Sequence, residues 1–198
     1  MQTLVVFCHP SHESFNAAVL ETVTQRLQSK GVEHRVRDLY GDNFNPVMTM
    51  SELAGYLDSP ANRNALQTDV ENLLWCDTLV FVYPTWWYGL PAMLKGWLDR
   101  AMLPGVAFHL PESERARIRP GLRHVGRLAL FTTCGASWLQ TQLMGAPGKR
   151  TIMRGVRHLC APRLRCAYAA HYRMDFSTQR SRRKHLDNVA AKMDRLLK

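Results

Sequence analysis

The chain predicts an α/β fold, a doubly wound sheet of five parallel strands in the order 2-1-3-4-5 with helices on both faces, in one domain over residues 1–198. Two observations carry this. Short apolar runs of strand length alternate with helix-length amphipathic segments along the whole chain, which is the pattern of strands joined by right-handed crossovers. The runs are also continuous: Leu79-Val80-Phe81-Val82-Tyr83 has no polar alternation, as expected of a parallel strand covered on both sides.

Taken in order, Thr3 to Cys8 reads as the first strand, and a polar loop from His9 to Ser14 leads into a helix from Phe15 to Gln28 that ends near Gly31. Val32 to Leu39 alternates as a second strand, and Asp42 to Pro46 is turn-rich. A helical piece at Glu52 to Leu57 precedes a helix from Ala65 to Cys76 and the strand Thr78 to Tyr83, which Pro84 should end. Pro91 can open the next helix, to Met102, with Leu90, Met93, Leu94, Trp97, Leu98 and Ala101 on one side. Gly105 to Gly126 reads as a long loop rich in Arg, Pro and Gly, of the length used for binding loops or lids. Leu128 to Thr133 is the fourth strand, Gly148 to Leu159 a helix, Arg163 to Ala170 the fifth strand and Ser177 to Leu197 the last helix. No internal repeat or interdomain linker interrupts this order.

Composition narrows the function classes. A hydrophobic content of 46% over 198 residues is enough for one substantial core. The N-terminus, MQTLVVFCHP, has neither the basic region nor the cleavage site of a signal peptide, and no apolar segment is of membrane-spanning length, so a soluble cytoplasmic protein is expected. Cys8, Cys76, Cys134, Cys160 and Cys166 form no C-x-x-C pair, and core packing as reduced thiols is the expectation for all of them. The net charge of +10 belongs to the second half, since residues 1–99 carry 6 Lys+Arg against 11 Asp+Glu and residues 100–198 carry 20 against 5. Arg115, Arg117, Arg119, Arg123 and Arg127 fall in the long loop, and Arg180, Arg182, Arg183 and Lys184 near the last helix. Such a half either attracts anions or is a solvated basic face. It contains no aromatic-interleaved basic strand and no helix-turn-helix, so nucleic acid is not an expected partner.

In an open sheet of this order the loops after strands 1, 3 and 4 meet at the carboxyl edge, where ligands bind. The first loop, His9-Pro-Ser-His-Glu-Ser-Phe-Asn16, offers hydroxyls, an imidazole, an amide and the free N–H groups of a helix start, which suit an anion; a plain Ser14 N-cap fits it equally. It has neither G-x-G-x-x-G nor G-x-x-x-x-G-K-[ST], so a Rossmann fingerprint and a nucleoside-triphosphate loop are both absent. The second loop carries Pro84, Thr85, Trp86, Trp87, Tyr88 and Gly89, an aromatic wall that alone could also plug a subunit interface. The third, Thr132-Thr133-Cys134-Gly135-Ala136-Ser137, is small and rich in backbone donors. A phosphate on the first loop and a flat heterocycle between the other two describe flavin binding, and fixed N–H dipoles near the N1/O2 edge of the isoalloxazine would favour its reduced anion.

These motifs, together with Asp38-Leu39-Tyr40, Asn43-Phe44-Asn45-Pro46 and Leu90-Pro91-Ala92-Met93-Leu94-Lys95-Gly96-Trp97, resemble the flavodoxin-like NAD(P)H:quinone oxidoreductases, the DT-diaphorase-like enzymes, over nearly the whole chain. The resemblance implies that His9, Ser14, Phe15 and Asn16 hold the flavin phosphate end and that Pro84, Thr85, Trp86, Trp87 and Tyr88 hold the ring, with Thr132, Thr133 and Gly135 completing the site. It implies a homodimer with shared active sites. The third loop reads TTCG where better-known members have two glycines, and Trp138 stands near the position of a tyrosine that relays protons in them, a role an indole cannot take. Between Asn64 and Leu73 the chain lacks the longer insertion of the larger FAD enzymes, which leans towards FMN with FAD as the alternative.

The expected activity is therefore transfer of hydride from NAD(P)H to the flavin and of two electrons onward to a quinone or similar aromatic acceptor, by ping-pong turnover, with Trp86, Trp87 and Tyr88 lining the substrate site. A one-electron flavodoxin carrier and a regulatory flavoprotein docking on a membrane transporter are the rivals. The pI near 9.8 is opposite to the usual acidity of the first. The dimer is expected through Pro91 to Met102, because Trp97, Met93 and Met102 put more apolar area there than one sheet face needs.

Overall fold

The computed structural model describes residues 1–113 and 116–198. Its elements run β1 (Gln2–Phe7), α1 (Phe15–Ser29), β2 (Glu33–Asp38), α2 (Met50–Ala54), a 3-10 turn (Ala61–Leu66), α3 (Gln67–Trp75), β3 (Thr78–Thr85), α4 (Ala92–Ala101), β4 (Phe108–His109), β5 (Arg119–Pro120) and β6 (Arg127–Cys134). Then come α5 (Trp138–Leu143), α6 (Pro147–Arg150), a π-helical stretch (Thr151–Val156), α7 (Arg157–Leu159), β7 (Arg165–His171), a second 3-10 turn (Met174–Phe176) and α8 (Gln179–Leu196). The main sheet is parallel throughout, in the order β2-β1-β3-β6-β7. Counted by main-sheet strands alone, that is the expected 2-1-3-4-5 topology, with its switch point between β1 and β3.

Alternation along the central strands sorts the core into two layers. Leu4, Val6, Leu79, Phe81, Leu128 and Leu130 point to the face covered by α3, α4 and the helical segment 147–159. Val5, Phe7, Val80, Val82, Ala129 and Phe131 point to the face covered by α1 and α8. Because both of their faces are buried, the central strands β1, β3 and β6 read as nearly unbroken apolar runs, whereas edge strand β2 is polar and largely exposed.

Four local expectations need correction. Pro84 does not end β3: the ladder to β1 stops at Phe7 and Val82, but pairing to β6 continues through Pro84–Thr133 and Thr85–Cys134, so the missing N–H falls where β1 no longer offers a partner. The loop from Gly105 to Gly126 contains a two-residue antiparallel ladder, Phe108–Pro120 and His109–Arg119. Arg119 accordingly lies in a strand, paired with Glu112 at 2.8 Å; Arg127 is the first residue of β6, beyond the loop, and Arg115 falls outside the described residues. Cys166 is exposed on edge strand β7, whereas the other four cysteines are buried, where desolvation pushes the thiols of Cys8, Cys76 and Cys160 up to about 12.

The fourth concerns the expected dimer helix. Trp97 and Met102 are buried in this chain's own core and Met93 packs against it, so α4 has no spare apolar face built from them. Trp97 turns inward because its indole N–H donates to the buried carboxylate of Asp69 at 2.8 Å. No helix among the described residues is long and apolar enough to cross a membrane.

Candidate functional site

The loops that follow β1, β3 and β6 touch pairwise at the carboxyl edge of the sheet. The Asn16 side-chain amide donates to the Thr133 hydroxyl at 2.9 Å, tying the start of α1 to the end of β6. The hydroxyls of Thr85 and Thr132 are hydrogen-bonded at 2.9 Å across β3 and β6. The His9 ring lies 6.3 Å from the Trp86 ring, centroid to centroid, inclined at 56°.

The aromatic segment is a tight reversal. Gly89 N–H donates to the Trp86 carbonyl at 2.9 Å, and the two central residues, Trp87 and Tyr88, have φ of 47° and 60°. Positive φ at both central positions is the geometry of a type I′ turn, which Asn and Gly normally fill. Bulky side chains there cost on the order of 1 kcal/mol each, a strain that collects at functional sites. The result is display: Trp86 stays 43% exposed and Trp87 95% exposed. Gly148 fixes the turn from behind, since a Cβ at that position would stand 3.0 Å from the Gly89 carbonyl carbon and 3.3 Å from the Tyr83 hydroxyl. An added methyl there would make the turn or α6 give by a few tenths of an ångström.

On the first loop, the Ser14 hydroxyl accepts from the Ala17 N–H at 3.2 Å as the N-cap of α1. The N–H groups of Phe15 and Asn16, in the first helical turn, cannot be used within the helix and remain available to an anion. His9 is held by its Nδ1, 3.0 Å from both the carbonyl and the N–H of Ser11, and burial lowers its pKa, favouring the neutral imidazole. Asn16 is 4% exposed and its side-chain oxygen has no partner among the described residues. Phe15 turns elsewhere: its ring packs edge-on to His171 at 5.4 Å and lies 5.8 Å from His185, on the α8 side.

On the third loop Thr132 and Thr133 are buried and Gly135 is exposed. The loop then enters α5, absent from the expected order, through a capping box in which Ser137 accepts from Gln140 N–H and the Gln140 side chain accepts from Ser137 N–H. Trp138, the first residue of α5, is 60% exposed. Sequence reasoning missed Lys149, Tyr168 and Tyr172, which share a narrow cleft with Thr85, Tyr88 and Thr132. No sequence motif connects them. Among the described residues no group of His, Cys, Asp and Glu could hold a metal ion.

Residues 1–191 match the profile of a family described as having a flavodoxin-like fold. An uncharacterised NAD(P)H oxidoreductase of Haemophilus influenzae is 35% identical over 142 residues, which cover 69% of this chain and 66%, just under two thirds, of that protein. A ribosyldihydronicotinamide dehydrogenase (quinone) of Rattus norvegicus is 30% identical over 157 residues, covering 71% of this chain and 67% of that one. The solved structure of an NAD(P)H:quinone oxidoreductase from Methanothermobacter marburgensis is similar with a TM-score of 0.80 at 25% identity, over 100% of this chain and 98% of that chain. On the profile match along nearly its whole length, the chain belongs to the flavodoxin-like family, and the relatives it resembles carry the names of NAD(P)H oxidoreductases and quinone dehydrogenases.

Proposed function

We propose that the protein is a cytoplasmic flavin-dependent NAD(P)H oxidoreductase that passes two electrons to a quinone or similar aromatic acceptor. The observation that carries this reading is the convergence of the strained Trp86-Trp87-Tyr88 turn with the α1 N-terminus and the Thr132-Thr133 strand end. The residues present fit a flavin. The unpartnered Asn16 side-chain oxygen accepts, so it suits a ribityl hydroxyl, while the Phe15 and Asn16 N–H groups suit the phosphate. When bound, the flavin supplies hydride acceptance and two-electron delivery.

The chain's own groups bind, orient and exclude water. Trp86, Trp87, Pro84 and Thr85 offer a wall for the ring, with Thr132, Thr133 and Gly135 beside it at the end of the adjacent strand. His9 supports Trp86 from the loop-1 side, at the 6.3 Å ring separation given above. Ser14 acts by capping α1, and Phe15 contributes its backbone while its ring packs against the histidines. Nicotinamide and acceptor would use one aromatic site in turn, which predicts ping-pong kinetics. The short Asn64–Leu73 region favours FMN over FAD.

Trp86→Ala is expected to weaken flavin binding about threefold to tenfold, the loss of one aromatic stacking contact, and to raise KM for aromatic acceptors. Fluorescence titration of flavin and initial-rate kinetics with NADH, NADPH and a quinone check it. Parallel lines in double-reciprocal plots support the one-site reading; intersecting lines and an unchanged flavin Kd would refute it.

The same reading proposes a homodimer, now through the carboxyl edge instead of α4. Trp87 is 95% exposed and Leu143 on α5 is 72% exposed, with Trp138 and Leu139 each at 60%, apolar area that a second copy would cover. Light scattering should give a dimer that Trp87→Ser with Leu143→Ser dissociates. A wild-type monomer of full activity contradicts the shared site.

A further inference from the structure

Behind the aromatic turn the crevice narrows to a cleft of about 10 Å3, lined among others by Thr85, Tyr88, Thr132, Lys149, Tyr168 and Tyr172. Its volume is on the scale of a single water. Thr85, Tyr88 and Thr132 belong to the ring-binding loops. Lys149, Tyr168 and Tyr172 come from α6 and from β7 with its following residue.

The position of Lys149 is closely determined. Gly148, one residue earlier, packs so closely on the Gly89 carbonyl that a Cβ there would meet it at 3.0 Å, which brings the start of α6 up against the turn. The Lys149 ammonium stands 4.3 Å from the centre of the Tyr168 ring, a cation–π contact. The Tyr168 hydroxyl in turn is 3.1 Å from that of Tyr172, and burial keeps Tyr168 protonated by raising its pKa. Lys149 is partly buried and takes part in no ion pair among the described residues. A partly buried cation stacked on a neutral aromatic ring, with no carboxylate paired to it among the described residues, can interact favourably with a negative charge that develops nearby.

We propose that Lys149, braced by the Tyr168–Tyr172 pair, is the cation of the ring-binding crevice and compensates the negative charge that a flavin takes up on reduction. This rests on the flavin reading above. It also gives the site a charge source where the indole of Trp138 offers no exchangeable acid. Lys149 acts here as a positioning and electrostatic residue, with no covalent role. Its alternative is mechanical: a stem that merely covers Tyr168.

The experiment measures the flavin midpoint potential of the holoprotein by dye equilibration, and the Kd for oxidised flavin by fluorescence quenching, in wild type, Lys149→Met, Lys149→Gln and Lys149→Arg. Both neutral variants should keep oxidised-flavin affinity while losing about tenfold in affinity for the reduced form, a fall in potential of about 30 mV for a two-electron couple. Lys149→Gln guards against a packing fault specific to Met. Lys149→Arg, which keeps the charge, should restore most of the potential. A wild-type potential in both neutral variants overturns the proposal, as does a fall in Lys149→Arg equal to theirs, since shape and not charge would then be at work. Wild-type protein that binds no flavin at all defeats the functional reading itself, and this proposal with it.

Discussion

Asp69→Ala should destabilise the protein by about 3 kcal/mol, the lower end for breaking a buried ion pair, and lower Tm by roughly 6–12 °C for a chain of this size. Asp69 lies on α3, 3% exposed. Its carboxylate accepts from the Trp97 indole of α4 at 2.8 Å and from Arg37 of β2 at 2.8 and 3.2 Å. One side chain thus joins β2, α3 and α4. Removal strands the Trp97 N–H in the core and leaves the Arg37 guanidinium with Asp42 alone, at 2.5 Å, which is why the lower end applies. Because α4 follows the aromatic turn after only Leu90 and Pro91, loosening it should also reduce flavin affinity. Thermal unfolding of the variant decides the matter; a Tm within about 2 °C of wild type would show that the network adds almost nothing.

The second large effect is a loss of stability in acid that belongs to His185. Its ring is 6% exposed, lies edge-on to His171 at 5.3 Å and 5.8 Å from Phe15, and has a buried Nε2 without a partner among the described residues. Desolvation first, and His171 second, lower its pKa from 6.5 to about 4. His171 is lowered too, by burial and by Arg182 of α8, while its Nε2 lies 3.3 Å from the Ser181 hydroxyl. A histidine whose folded pKa is depressed binds fewer protons folded than unfolded. Its contribution is therefore complete above about pH 6.5 and is lost as pH falls towards about 4, a difference of about 3 kcal/mol. Urea midpoints taken across that interval should fall steeply in wild type and much less in His185→Phe, which keeps an aromatic ring against Phe15. Equal pH slopes in the two proteins would mean that His185 charges without cost.

The sheet was legible because its central strands are buried on both faces, so apolar continuity alone marked β3 and β6, and the alternation with helices then settled the order. Pro84 misled because a proline is tolerated where one neighbouring strand has already ended. Helix α5 was readable in principle from Ser137-x-x-Gln140, a capping box followed by a short helix. The ladder between β4 and β5, two residues long on each strand, carries no periodicity to read. In the candidate site the meeting of the three loops followed from topology. The direction of Phe15 did not, because the histidines that receive its ring come from β7 and α8. Lys149 was invisible for the same reason: its significance lies in Gly148 pressing α6 against a turn some sixty residues away along the chain. Trp97 shows the opposite hazard, an apolar residue assigned to an interface that a single buried carboxylate turns inward.

The most direct test of the flavin site is an anaerobic titration of the purified protein with NADH and with NADPH, followed by absorbance. The protein should carry, or take up stoichiometrically, a flavin whose visible bands bleach with one of the nucleotides and return on addition of a quinone. A chain that shows no flavin bands, and acquires none when FMN or FAD is supplied, would contradict the assignment of the Trp86-Trp87-Tyr88 crevice as a flavin site.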